Sequence, residues 1–153
     1  PPYLLRSISN SNNLTKHYKV PKIFNDKNRW DKTEQEQKQI ALFSIGPRYS
    51  YTSFHMHSAA FNFLTLGAKK WLLCPPAILC SGNSDTNMVK WYKDLKDNNV
   101  EFNNIIEFTQ LPGEMVYIPG GWSHAVINVD DISVGLAVEL GWNLQYSSTY
   151  RPL

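Results

Sequence analysis

The sequence predicts an all-β fold, a sandwich or barrel with one inserted helix. Two observations carry this. From Gln39 onward, short strand-like segments alternate with Gly, Pro and Asn/Asp turns, and only one stretch shows helical spacing. The chain has 153 residues, 42% of them hydrophobic and 13% aromatic. A single domain of that length buries roughly 68–70% of its unfolded surface, enough for a core without disulfides.

The segments follow in order. Ile40 to Ile45 reads as a strand ended by Gly46-Pro47, and Tyr51 to His57 and Phe61 to Leu66 are the next two. Gly67-Ala68 turns the chain into Lys69 to Cys74, which Pro75-Pro76 terminates because proline cannot donate to a ladder. Asp85 opens the helix, whose apolar face carries Met88, Val89, Tyr92 and Leu95, and Asn98-Asn99 closes it. Lys90, Lys93 and Lys96 form its solvated face. Ile105 to Thr109, Glu114 to Ile118, Trp122 to Asn128 and Ile132 to Leu140 complete the strands. The organisation is therefore an irregular lead-in over 1–39, then a β core over 40–153 with a helical insertion near 85–97. Within the lead-in, Ser7 to Asn13 is low in complexity and Asp31 to Gln39 is a charged run.

Composition excludes several classes. The net charge is only +2 and the basic residues are scattered, so there is no nucleic-acid stripe. No apolar run approaches the ~18 residues that span a membrane. Cys74 and Cys80 fit neither a zinc pair nor a redox pair and read as ordinary thiols. Asn13-Leu14-Thr15 is a glycosylation sequon in asparagine-rich sequence. The chain opens Pro1-Pro2-Tyr3 without a methionine, as expected of a piece of a longer protein, so compartment and oligomeric state stay open.

Chemistry concentrates in the histidines. His55 and His57 are two apart on an expected strand, so both imidazoles share a face. His124 stands three residues past Gly121 on another, leaving only His17 in the polar lead-in. A metal site on a β scaffold needs this pattern, but paired surface histidines produce it as well. Imidazole suits Fe(II), Zn, Cu or Ni alike.

The flanking residues resemble the JmjC-domain family of the cupin superfamily. Tyr51-Thr-Ser-Phe-His-Met-His through Gly67-Ala-Lys-Lys-Trp to Pro75-Pro76 is similar to the family's first motif, an H-x-D/E pair followed by Gly-x-Lys-Arg-aromatic and Pro. Leu111-Pro-Gly-Glu through Ile118-Pro-Gly-Gly-Trp-Ser-His124 is similar to its second, with Pro-Gly-Glu, Pro-x-x-Trp and a distal histidine. The resemblance implies a double-stranded β-helix, the jelly-roll or cupin fold. It implies Fe(II), or a divalent metal such as Zn or Ni in its place, together with 2-oxoglutarate. His55 and His124 match the two metal histidines, and Thr52, Asn62 and Lys69 match cosubstrate contacts. No catalytic residue is implied beyond the metal centre. The implied substrate is a protein or peptide, hydroxylated rather than demethylated, since the chain carries no histone-reading or zinc module.

One departure matters. The family's usual second ligand is Asp or Glu, and here it is His57, as in a JmjC-only branch that Phe54-His55-Met56-His57 resembles. A weak oxygenase is therefore expected. The alternatives are a catalytically silent, metal-containing protein-binding module and a three-histidine cupin dioxygenase that uses no 2-oxoglutarate.

Overall fold

In a computed structural model, residues 4–7, 19, 21–22, 40–76, 87–98 and 104–140 are described. They form nine strands and one helix: β1 (Leu4–Ser7), β2 (Ile40–Pro47), β3 (Tyr51–His55), β4 (Ala60–Leu66), β5 (Lys69–Cys74), α1 (Met88–Asp97), β6 (Ile106–Gln110), β7 (Met115–Ile118), β8 (Ser123–Asn128) and β9 (Ile132–Glu139). The strands build two antiparallel sheets, ordered β1-β2-β9-β4-β7 and β3-β8-β5-β6. From β2 to β5 the chain changes sheet at every step, and it does so again from β6 to β9. This winding is a double-stranded β-helix. The expected fold class holds.

Strand alternation decides what fills the space between the sheets. On β5, Trp71 and Leu73 pack inward with Val116, Ile118 and Val126, while Leu72 turns to the other face and packs under α1 with Met88, Ala125 and Ile127. The helix is thus a buttress behind the four-stranded sheet. Trp91 meets Phe54 edge-on at 5.7 Å between ring centres. Below it Glu107 accepts hydrogen bonds from the Tyr92 hydroxyl at 2.7 Å and from Lys70 at 3.2 Å, and pairs with Lys96 at 2.8 Å. Those three donors hold the Glu107 carboxyl below its usual range, although partial burial pulls the other way.

Several details differ from the sequence reading. The helix starts at Met88, with the Asn87 side chain accepting from the Lys90 amide at 3.1 Å, so the cap is Asn87. Asp85 lies outside the described residues. Within the stretch read as irregular, Leu4–Ser7 pairs with β2 and extends the larger sheet. A four-residue edge strand carries too little pattern to stand out. The sequon at Asn13, the low-complexity patch beyond Ser7 and the charged run to Gln39 lie outside the described residues. Cys74 is fully buried at the end of β5 and is disulfide-bonded, not a free thiol. Counting two cysteines excludes a framework of bridges, but not one bridge. Cys80 is outside the described residues. Among the described residues, no helix is long and apolar enough to cross a membrane.

Leu72 is completely buried between β5 and α1. Leu72→Ala should lower unfolding stability by about 2–5 kcal/mol, read by chemical denaturation, because the helix cannot fully collapse into the void. A loss under about 1 kcal/mol would show that α1 packs too loosely to buttress the sheet.

Candidate functional site

β3 and β8 are neighbours, and their register sets His55 directly opposite His124. The ladder shifts between Thr52 and His55, a bulge that re-aims the end of β3. His57 was expected on the same strand face as His55, but β3 stops at His55. His57 instead enters from the following loop, where its carbonyl accepts from the Gly121 amide at 3.1 Å. Gly121 adopts φ 77°, a left-handed conformation that glycine takes without strain. The Gly120-Gly121 turn therefore fastens His57 as well as leading into His124.

The three rings converge. Their centres lie 4.3 Å (His55–His124), 4.6 Å (His57–His124) and 5.4 Å (His55–His57) apart. Each Nδ1 meets a backbone carbonyl: Ser53 at 2.8 Å, Ser58 at 2.6 Å and Trp122 at 3.0 Å. A carbonyl only accepts, so each Nδ1 carries the proton and each Nε2 keeps its lone pair. The ligand atoms all lie within 4.8 Å of one another, a grouping that could hold a divalent ion, whose nitrogen ligands sit at ~2.1 Å. Desolvation favours the neutral form of His124 and His55. It lowers the His124 pKa to about 3, with the other two imidazoles adding to the effect, and lowers His55 as well. Neutral imidazole is the form that binds a metal.

These histidines stand at one end of a cavity of about 180 Å³ between the sheets, many times the roughly 10–15 Å³ that one water needs. Thr52, Asn62 and Lys69 line the same cavity. Lys69 is 1% exposed, while Lys70 on the opposite face pairs with Glu107. The Lys69 ammonium crosses to the other sheet and donates to Ser44 Oγ at 3.1 Å, and Ser44 Oγ in turn donates to the Gly135 carbonyl at 3.2 Å. A Cβ on Gly135 would sit 2.9 Å from the Phe63 carbonyl, so the close approach of β9 to β4 requires a bare backbone there, while Lys69 Nζ at 3.5 Å would be in ordinary contact. Among the described residues, buried Thr52 Oγ1 and Asn62 Oδ1 meet no hydrogen-bond partner. Orphaned polar atoms in a cavity are costly unless something that enters satisfies them. The donor set fits a divalent metal at the mouth, and Lys69 with the Thr52 hydroxyl fits a carboxylate deeper in.

The sequence model of the JmjC domain, hydroxylase, matches residues 42–134. The chain belongs to the JmjC family. Curated relatives include lysine-specific demethylase JMJ21 of Arabidopsis thaliana, 30% identical over 76% of this chain and 14% of that protein. Bifunctional arginine demethylase and lysyl-hydroxylase psr-1 of Caenorhabditis briggsae is 30% identical over 75% of this chain and 33% of its own length. 2-oxoglutarate and iron-dependent oxygenase JMJD4 of Danio rerio is 30% identical over 74% and 30%. The chain thus spans between a seventh and a third of these relatives.

The JmjC cavity contains residues that sequence reasoning passed over. Trp71, in the first motif, lies 6.0 Å from His124 between ring centres and donates from its indole to Gln110 Oε1 at 2.9 Å. Buried Gln110 is locked in turn by donating to the Asn62 and Glu114 carbonyls. Trp71 was legible as part of the motif. Ser44 carried no signal, because a serine in a strand has many uses. Glu139 also lines the cavity.

Lys69 gives a measurable pH signature. Desolvation lowers its pKa from 10.5 to about 8. Between those values the unfolded chain binds a proton that the folded one does not, so stability rises with pH across that window. Compared with Lys69→Met, the natural chain should gain up to about 3 kcal/mol in relative stability from pH 8 to 10.5, measured by urea denaturation. A pH-independent difference would mean that the ammonium is not buried.

Proposed function

We propose that this chain is the core of an Fe(II)- and 2-oxoglutarate-dependent oxygenase of the protein-hydroxylase type, with intrinsically weak turnover. One observation carries the reading. A single cavity is lined by three converging imidazoles, a buried ammonium and a buried threonine hydroxyl that has no partner among the described residues. A metal-chelating dicarboxylate needs an anchor of each kind.

In this reading His55, His57 and His124 hold the metal through Nε2. Their Nδ1–H bonds to Ser53, Ser58 and Trp122 fix the ring orientations, as partners of metal-bound histidines usually do. Lys69 and Thr52 receive the far carboxylate of 2-oxoglutarate, and the Asn62 side-chain amide turns toward it. When bound, iron with 2-oxoglutarate and O2 supplies the oxidising power that converts a substrate C–H to an alcohol, with succinate and CO2 as co-products. The chain's own residues bind, orient and exclude water. The protein-substrate class rests on the named activities of the relatives, arginine demethylase and lysyl-hydroxylase among them.

His57 is why the turnover is proposed to be weak. Three neutral imidazoles bring no charge to the metal, where the family's usual carboxylate brings one, and protein-supplied charge governs both affinity and reactivity at such ions. The same observation favours a second reading, a metal-containing protein-binding module without turnover. A three-histidine dioxygenase without 2-oxoglutarate has no use for Lys69 in its cavity.

The test is succinate formation from 2-oxoglutarate with Fe(II) and ascorbate, for the natural chain and His57→Asp. The expected result is slow turnover that rises at least about tenfold in His57→Asp, as the ligand charge is restored. Turnover of about 1 per second or more in the natural chain would refute the weak-oxygenase reading. No succinate and no 2-oxoglutarate binding in either form would favour the binding module.

A further inference from the structure

The metal end of the cavity holds one feature that the proposed function does not use. Among the described residues that line the cavity, Glu139 is the only acid. It closes β9, where the register sets it opposite Ala60, just beyond the loop that carries His57. Ala137, two residues earlier, lines the same cavity, as alternation along a strand requires. Glu139 is half-buried, and among the described residues it meets no hydrogen-bond or ion-pair partner.

A half-buried carboxylate with no partner is a cost that a nearby cation removes. Three neutral imidazoles gathered on a divalent ion bring it no compensating charge from the protein. We infer that Glu139 supplies, from across the cavity, the negative charge that His57 does not bring to the metal. Glu139 is then a positioning residue acting through the field at the ion. Its position on β9 makes that charge independent of β3 and of the loop that carries His57. The inference rests on the proposed metal site.

The experiment uses Co(II) as the probe, titrated into the metal-free protein and followed by its visible d–d absorption. Four chains are compared: natural, Glu139→Gln, Glu139→Asp, and Glu139→Gln in a His57→Asp background, each against its own parent and each checked for an unchanged thermal midpoint. The expected result is that Glu139→Gln weakens Co(II) binding about tenfold and shifts its bands. Glu139→Asp, which keeps the charge, should stay within about threefold of the natural chain. With His57→Asp present, Glu139→Gln should cost less than about threefold, because the ligand now carries the charge. Unchanged affinity and bands in Glu139→Gln would overturn the inference and leave the metal site standing, as expected of a carboxylate that receives a cationic substrate group. An equal loss in both backgrounds would also overturn it, since a general loosening of the cavity does not depend on residue 57. No Co(II) uptake by the natural chain would overturn both the inference and the proposed function.

Discussion

The antiparallel ladder through β3, β8 and β5 is the constraint on which the rest depends. Its register sets His55 against His124, Thr52 against Val126, and Val126 against Trp71, all on one inner face. Strand alternation then carries that face along β5 to Lys69, opposite Asn128 and deeper in the barrel. A slip of one residue in β5 would exchange Lys69 for Lys70 and bury the wrong ammonium. It would also turn Trp71 out of the core and Leu72 away from α1. The hydrophobic pattern that folds the sheet therefore also positions the polar groups of the cavity. Packing and chemistry share one register.

That register explains how much could be read in advance. The boundaries of β5 were legible to the residue, because Gly67 and the two prolines leave no other length. The inward direction of Lys69 followed from the motif, since two adjacent lysines on a strand must face opposite ways. His57 was placed correctly in space by an argument that fails in detail. Parity along a strand does not apply beyond His55, and a loop tied to Gly121 delivers the imidazole. Bulges and loop ties are three-dimensional solutions with weak sequence signatures. β1 went unseen for a related reason. Its four residues join a sheet edge through partners more than thirty residues away, and nothing local marks them. Ser44 and Glu139 matter only through what stands opposite them, which no period along the chain encodes.

Electrostatics divides the cavity into two ends with opposite demands. At the mouth, neutral rings tied to backbone carbonyls present lone pairs to a cation. Deeper in, an ammonium bonded to Ser44 and an orphaned hydroxyl present donors to an anion. Each end is expensive to keep buried on its own. A ligand that carries an anionic tail and chelates a metal offsets both costs at once, so this pair of ends is an argument for such a ligand and not for a metal alone. In the proposed site, His57 in place of the family's usual carboxylate changes the charge at the first end and leaves the second untouched.

The most direct test of that two-ended account is thermodynamic coupling between the metal and 2-oxoglutarate, measured on one purified sample under anaerobic conditions. The affinity for 2-oxoglutarate is determined by calorimetry with and without saturating Fe(II). If one molecule spans both ends, the metal should tighten 2-oxoglutarate by at least about tenfold, and by reciprocity 2-oxoglutarate should tighten the metal equally. Equal 2-oxoglutarate affinities with and without metal would contradict the account, because a dicarboxylate held by Lys69 and Thr52 alone would not be reaching the histidines.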